Sequence, residues 1–149
     1  NKDNLSDLFV QVTKEDQETG FIYILKSLSD NEKIRSIDNL YKIGFSKTPV
    51  EERIKNAKND PTYLMSDVQI VATFKCFNLN PQKLESLLHT FFGSSCLNLD
   101  IFDNNKKRHT PREWFIAPFC VVENAIELII AGKITNYKYN PENEVIIKK

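Results

Sequence analysis

Two apolar segments with a high content of β-forming residues stand close together in the first third of the sequence. The first, GFIYILKS, begins at Gly20, and the second, NLYKIGFS, covers residues 39–46. The polar stretch SLSDNEKIRSIDN between them is too tight for the helical crossover that two parallel strands need. We therefore expect two neighbouring antiparallel strands, and this pairing limits the chain to folds built around a small sheet.

The remaining segments alternate between strand and helix patterns. VQIVATFKC, residues 68–76, predicts a third strand, and the tail segments KITNYKY and EVIIKK predict a hairpin. Three helices are expected. The first has Thr48 as its N-cap and Pro49 at its first position and runs through EERIKNAK, the second has Asn80 as its N-cap and covers PQKLESLLHTFF, and the third covers APFCVVENAIELIIAG, where Gly132 ends the helix. The interleaving of strands and helices places the chain in the α+β class.

This pattern divides the sequence into three parts. Residues 1–19 are a mostly polar lead-in with one short strand, residues 20–131 form the domain, and residues 132–149 are a C-terminal extension with a hairpin. The sequence begins at Asn1 rather than Met, so we expect a fragment of a longer protein with a further domain on its N-terminal side.

The composition excludes several classes of protein. The chain has 149 residues, and 20 Lys and Arg balance 20 Asp and Glu, which argues against non-specific coating of nucleic acid but not against a local basic site. No apolar run has the length of a membrane span, so no membrane partner is expected. The three cysteines include no Cys-x-x-Cys pair, which favours a reducing, cytoplasmic location over a disulfide or zinc framework.

Five residues make a plausible set for phosphoryl chemistry. Tyr23 and Lys42 lie on the two neighbouring strands, Arg53 on the next helix, and Glu85 and His89 one turn apart on a later helix. In such a set a base takes a proton from water, cations hold the phosphate, and a carboxylate holds a hard divalent metal.

Each member of the set also has an ordinary structural interpretation. A tyrosine in an apolar strand is more often part of the core, and Lys42 and Arg53 are more often solvated cations. Glu85 has the position of a helix-surface acid, and His89 of a half-buried core histidine. None of these residues alone indicates an enzyme.

The order of the motifs resembles the GIY-YIG endonuclease superfamily, and more closely its T5orf172 (Mug113-like) branch. Phe21-Ile22-Tyr23 stands at the GIY element and Lys42-Ile43-Gly44 at the YIG element, where that branch commonly has Lys in place of Tyr. The similarity covers roughly residues 20–131. It continues through the segments PVEERI, LESLLHTFF and REWF.

The resemblance implies a three-stranded antiparallel sheet flanked by helices and hydrolysis of DNA with a single Mg²⁺ or Mn²⁺ ion. It makes Tyr23 the general base or the residue that orients the attacking water, and Arg53 the clamp on the scissile phosphate. Lys42 would lower the pKa of the phenol or water and neutralise phosphate. Glu85 would be the metal ligand, with His89 contacting substrate or holding Glu85.

Further residues are candidates for substrate contact. Gly44 shares a strand face with Lys42 and would let a phosphate approach the backbone, whereas Tyr41 points to the opposite face and into the core. Lys47 and Arg112 are candidate phosphate contacts, and Arg112 adjoins the basic loop NNKKRHT, which is equally well explained as a solvated loop. Trp114 is expected to be a core anchor rather than a base-stacking platform.

Three interpretations follow. The first is a metal-dependent nuclease domain. The second is a catalytically silent module of the same fold that binds nucleic acid or protein. The third is an unrelated α+β domain with chance motifs, which predicts that Tyr23 and Glu85 lie far apart.

Overall fold

The described chain folds into one main antiparallel sheet with two small hairpins and four helices. The computed structural model describes residues 19–77 and 79–149, and the predicted strand within the lead-in lies outside them. The strands are β1 (Thr19–Ser27), β2 (Leu40–Ser46), β3 (Val68–Phe77), β4 (Ile101–Phe102), β5 (Arg108–His109), β6 (Trp114–Ile116), β7 (Tyr137–Asn140) and β8 (Val145–Lys148). The helices are α1 (Glu32–Arg35), α2 (Val50–Ile54), α3 (Pro81–Phe92) and α4 (Phe119–Ile130).

The predicted α+β class and the antiparallel pairing of β1 with β2 are confirmed. The main sheet has the order β3-β1-β2-β6, so one short strand is added to the three that the resemblance implies. The connection between β1 and β2 contains the single helical turn α1, capped by Asn31, rather than a crossover helix. The predicted tail hairpin is present as β7 and β8.

The short strand β6 leaves one edge of the sheet open. It pairs only with Leu40–Lys42 of β2, although β2 continues to Ser46. The last backbone hydrogen bond along this edge is donated by the Ile43 amide to the Glu113 carbonyl oxygen, 3.0 Å away. Beyond that bond the end of β2 borders a cavity instead of another strand.

The two faces of the sheet have different neighbours, because successive side chains along a strand point in opposite directions. Ile22, Ile24 and Ile43 are buried on one face against α3 and α4, and Tyr41 packs at the edge of this core as predicted. Tyr23 is buried on the other face beside α2 and the turns that follow it. No helix of the described residues is long and apolar enough to cross a membrane.

Helix α2 is shorter than the sequence pattern predicts. It ends at Ile54, and two 3₁₀ turns, Ala57–Asn59 and Pro61–Tyr63, replace its expected last turns. Its N-cap is Pro49 rather than Thr48, because the Thr48 hydroxyl lies 3.0 Å from the Ser46 hydroxyl. The second 3₁₀ turn places Tyr63 against Tyr23, which has consequences for the site.

Candidate active site

The cavity at the open edge of β2 collects most of the predicted site residues. Its lining includes Tyr23, Gly44, Arg53 and Glu85, together with Glu113, which the sequence analysis did not select. The interpretation of chance motifs expects Tyr23 and Glu85 to be far apart, and their presence on one cavity argues against it. Two neighbouring strands, the last turn of α2 and one face of α3 therefore converge on this cavity.

Tyr23 and Gly44 form a cross-strand pair in which the glycine makes room for the phenol ring. They are direct partners in the β1–β2 register, so their side-chain positions lie on the same face. A Cβ atom on Gly44 would lie 2.4 Å from both Cζ and Oη of Tyr23. The space beside Gly44 that we expected a phosphate to use is therefore filled by Tyr23, and Gly44 contributes only backbone to the cavity.

The Tyr23 hydroxyl belongs to a pair of buried phenols. It lies 3.4 Å from the Tyr63 hydroxyl, which in turn lies 3.5 Å from the Arg53 carbonyl oxygen. Burial raises the pKa of the Tyr23 phenol far above its usual range, and the hydrogen bond with Tyr63 raises it further. Tyr23 is thus a neutral phenol at physiological pH, able to donate one hydrogen bond and accept others.

Lys42 lies behind this pair of phenols and is fully buried. Its ammonium donates to the Glu113 carboxylate and lies 5.3 Å from the centre of the Tyr63 ring and 5.9 Å from that of Tyr23. Burial lowers the pKa of Lys42, and the Glu113 carboxylate opposes that shift. The ordinary structural interpretation of Lys42 as a solvated cation does not hold, since its side chain is buried and Glu113 provides the partner that a buried cation needs.

Glu85 projects from α3 on the other side of the cavity, and Arg112 reaches it. The Arg112 Nε atom lies 3.3 Å from Glu85 Oε1, while the two side chains are 67% and 40% exposed. The predicted phosphate contact Arg112 therefore neutralises the predicted metal ligand in this structure. Arg112 does not line this cavity, but it lines the neighbouring cleft together with Glu85 and Glu113.

His89 lies one helical turn after Glu85, as its spacing predicts. Its Nε2 atom is 3.8 Å from Glu85 Oε1, buried, and without a hydrogen-bond partner, while Nδ1 lies 3.4 Å from Cys96 Sγ. The imidazole also packs on Phe115, with 5.4 Å between the ring centres. These contacts fix the ring beside Glu85, without a hydrogen bond between the two side chains.

The donor atoms at the site fit a weakly held Mg²⁺ or Mn²⁺ ion. The described residues contain no group of three or more His, Cys, Asp or Glu side chains that could enclose a metal. Mg²⁺ keeps several waters and binds through one or two carboxylates together with substrate phosphates. Glu85 supplies one carboxylate on the cavity, and Glu113 supplies a second that is already engaged by Lys42.

The remaining candidates lie outside this cluster. Lys47 is exposed directly after β2 and does not line the cavity. Trp114 is fully buried and donates from Nε1 to the Thr62 carbonyl 2.9 Å away, so its prediction as a core anchor is confirmed.

Sequence reasoning missed Tyr63 and Glu113. Tyr63 carries no signal, because its position depends on a 3₁₀ turn that replaces a predicted helix. Glu113 directly precedes Trp114 in REWF, and its membership of that motif was the signal that could have selected it.

Comparison with known proteins identifies the family. Residues 20–130 match the T5orf172 domain, which is more than half of the chain. The chain belongs to the T5orf172 domain family. It is also 43% identical over 128 residues to the uncharacterized protein YeeC of Bacillus subtilis (strain 168), covering 86% of this chain and 34% of YeeC. The chain thus spans about a third of the length of that relative, and no solved structure matches it.

Membership of the T5orf172 family agrees with the motif order on which the resemblance was based. The matched residues contain every member of the cavity named above. The β7–β8 hairpin lies beyond the match, although Tyr139 packs in the same core as α3 and α4.

Proposed function

We propose that this T5orf172 domain is a GIY-YIG-type endonuclease of the Mug113-like branch that hydrolyses phosphodiester bonds in DNA with one Mg²⁺ or Mn²⁺ ion in the cytoplasm. The observation that carries the proposal is the convergence of Tyr23, Arg53 and Glu85 on one cavity, with the Lys42–Glu113 ion pair directly behind Tyr23. These are the residue types needed to orient a water, hold a phosphate and bind a hard cation.

The residues have distinct tasks in this proposal. Arg53 lines the cavity with a permanent positive charge and would hold the scissile phosphate. Tyr23 would orient the attacking water through its hydroxyl, because its raised pKa makes it a poor base. A bound divalent ion would supply charge stabilisation at the phosphate and a more acidic water. Glu85 would hold that ion, and His89 would hold Glu85.

Lys42 acts through its neighbours in this scheme. Its ammonium has no exposed surface, so it cannot reach a phosphate directly. It would fix the Glu113 carboxylate at the cavity wall and place a positive charge near both phenol rings. The chain has a net charge of zero, so we propose that much of the affinity for DNA comes from a further domain.

The test is nicking of supercoiled plasmid with Mg²⁺ or Mn²⁺ against EDTA. The variants Glu85→Gln, Arg53→Ala and Tyr23→Phe should each reduce metal-dependent nicking at least roughly a hundredfold, as expected for loss of a charge or proton contact in the transition state. Matched controls are Glu52→Gln, an exposed acid on α2, and Tyr137→Phe in the C-terminal hairpin. Nicking that survives in Glu85→Gln would contradict the metal assignment.

One observation favours the alternative of a catalytically silent binding module. Both Lys42 and Glu85 already have a charged partner in this structure, Glu113 and Arg112 respectively. That module predicts DNA binding without metal-dependent nicking, and with no effect of Tyr23→Phe.

A further inference from the structure

A small hairpin next to the cavity carries an unusual group of exposed side chains. We name residues Ile101–His109, which comprise β4, β5 and the turn between them, the basic hairpin. Lys106, Lys107 and Arg108 are all exposed on it. Phe102, at 58%, has the largest exposed fraction among the exposed large apolar side chains of the described residues.

The turn of the basic hairpin is held by one aspartate. Asp103 Oδ1 accepts hydrogen bonds from the amides of Asn105 (2.8 Å) and Lys107 (2.9 Å), and Oδ2 lies 2.8 Å from His109 Nε2. The hydrogen bond from His109 lowers the pKa of Asp103, followed in effect by the Lys107 amide. Asp103 is therefore engaged inward, and the turn has a defined shape.

The three cations of the basic hairpin have no acidic ion-pair partner among the described residues. Within residues 19–77 and 79–149, no carboxylate lies within ion-pair distance of Lys106, Lys107 or Arg108. By contrast, Lys55 is paired with Glu52 and Lys58 with Asp67. The hairpin thus presents three positive charges that no described acid neutralises, in a protein whose net charge is zero.

The two faces of the hairpin are also different. Phe102 and Arg108 are direct partners in the β4–β5 register, so an aromatic ring and a guanidinium share one face. Ile101 on the opposite face is buried in a cluster with Trp114, which anchors the hairpin to the domain. A fixed hairpin with an exposed ring beside a cation is suited to stacking on a nucleic acid base.

A cleft connects the hairpin to the candidate active site. Its lining includes Glu85, Arg112 and Glu113 of the site and His109 and Thr110 at the end of the basic hairpin. The cleft thus joins the candidate active site to the base of the basic hairpin at His109 and Thr110, while Phe102 and the three cations lie beyond its lining.

We infer that the basic hairpin holds the DNA strand that flanks the scissile phosphate. Lys106, Lys107 and Arg108 contact backbone phosphates, and Phe102 stacks on an unpaired or unstacked base. This inference rests on the proposed function for its choice of DNA as the partner. It adds a binding surface, and a preference for DNA whose bases are accessible, to that proposal.

The experiment measures DNA binding in EDTA, so that no cleavage occurs. The probes are a fluorescein-labelled single strand of about 16 nucleotides and the matching duplex, titrated at several salt concentrations from about 50 to 200 mM. The Lys106→Ala/Lys107→Ala/Arg108→Ala variant should bind roughly ten- to a hundredfold more weakly, and its salt slope should fall by about two. The matched control changes three exposed lysines of the C-terminal region, Lys133, Lys138 and Lys148.

Phe102→Ala tests the stacking contact separately. It should weaken binding of the single strand about tenfold, with no change in the salt slope and a smaller effect on the duplex. Its control is Phe77→Ala, which removes a ring that is 43% exposed on β3. An equal effect of Phe102→Ala and Phe77→Ala would overturn the stacking contact.

The outcomes separate this inference from the proposed function. Equal losses in the hairpin triple variant and its control, or no DNA binding by the parent chain at low salt, would overturn the inference. Hairpin-dependent binding without metal-dependent nicking would leave it standing while contradicting hydrolysis. Metal-dependent nicking that the hairpin variants do not change would support hydrolysis and contradict the inference about the hairpin.

Discussion

At the scale of single residues, the two partners of the Lys42–Glu113 ion pair differ strongly in their exposure to solvent. The lysine side chain is fully buried, whereas that of Glu113 is 40% exposed. If Lys42 is removed, Glu113 is left with access to water, but if Glu113 is removed, a buried ammonium loses its partner. The two partners should therefore respond differently to substitution.

We expect Glu113→Gln to lower the free energy of unfolding by about 2–4 kcal/mol at neutral pH, and Lys42→Met to change it by less than about 1 kcal/mol. The Glu113→Gln deficit should shrink as the pH rises toward ~10, because the lysine then loses its proton in the folded variant before it does in the unfolded chain. Urea denaturation at several pH values measures both effects. The matched control, Glu52→Gln, removes an exposed pair and should stay within about 0.5 kcal/mol.

The buried Tyr23 phenol predicts a loss of stability in alkaline solution. A phenol whose pKa is raised in the folded state stays protonated there after it has ionised in the unfolded chain. Its contribution is complete below pH ~10 and is lost above that pH, at up to about 1.4 kcal/mol per pH unit. Tyr23→Phe should thus flatten the fall of the urea midpoint between pH 9 and pH 11, whereas Tyr137→Phe should not. Equal slopes in the two variants would contradict the burial of this hydroxyl.

At the scale of elements, the N-cap of α3 supports the helix that carries Glu85. The Asn80 side chain accepts hydrogen bonds from the amides of Gln82 (2.9 Å) and Lys83 (3.1 Å). Asn80→Ala should lower the free energy of unfolding by about 1 kcal/mol, since two amides of the first turn lose their partner. Asn80→Asp keeps the acceptor and should be nearly neutral. Thermal or urea denaturation followed by circular dichroism decides between a capping role and an exposed asparagine of no consequence.

The elements that the sequence predicted best are those whose pattern is local. α3 follows from the Asn80 cap and a periodic apolar face, α4 from an apolar segment that Gly132 ends, and β1, β2 and β3 from runs of β-forming residues. β6 was missed because three residues carry too little pattern, and because its partner strand is distant along the chain: the nearest register pair, Lys42 and Trp114, is separated by 72 positions. The predicted C-terminal end of α2 was wrong because a tertiary contact of Tyr63 competes with helix propensity.

The candidate site was predictable to the same extent. Tyr23, Arg53 and Glu85 came from motif order, and they share a cavity. The state of Lys42 was not predictable, because its partner Glu113 is brought to it only by the pairing of β2 with β6. The role of Gly44 was predicted only in part. The glycine indicated that space is needed beside the backbone, but not that the Tyr23 ring fills this space.

At the scale of the whole molecule, the C-terminal hairpin joins the core of the domain, although it follows the part that matches the family. Tyr139 of β7 is 6% exposed and packs on Phe92 of α3, with 5.6 Å between the ring centres. Trp114 belongs to a different apolar cluster, beside Leu40 and Ile34. Its fluorescence therefore reports on a part of the domain that Tyr139 does not touch.

If the hairpin and the domain unfold as one cooperative unit, a destabilising substitution at Tyr139 must also shift the unfolding transition that Trp114 fluorescence reports. We expect Tyr139→Ala to lower the free energy of unfolding by about 3 kcal/mol, because it removes a buried ring from a packed core. The urea transitions followed by Trp114 fluorescence and by circular dichroism should shift together. Tyr139→Phe keeps the ring and should cost less than about 1 kcal/mol, and Lys138→Ala next to it should be neutral. If Tyr139→Ala leaves the urea midpoint of the Trp114 fluorescence unchanged, the hairpin unfolds separately from the domain. Helix α3 would then hold Glu85 in place without support from the hairpin.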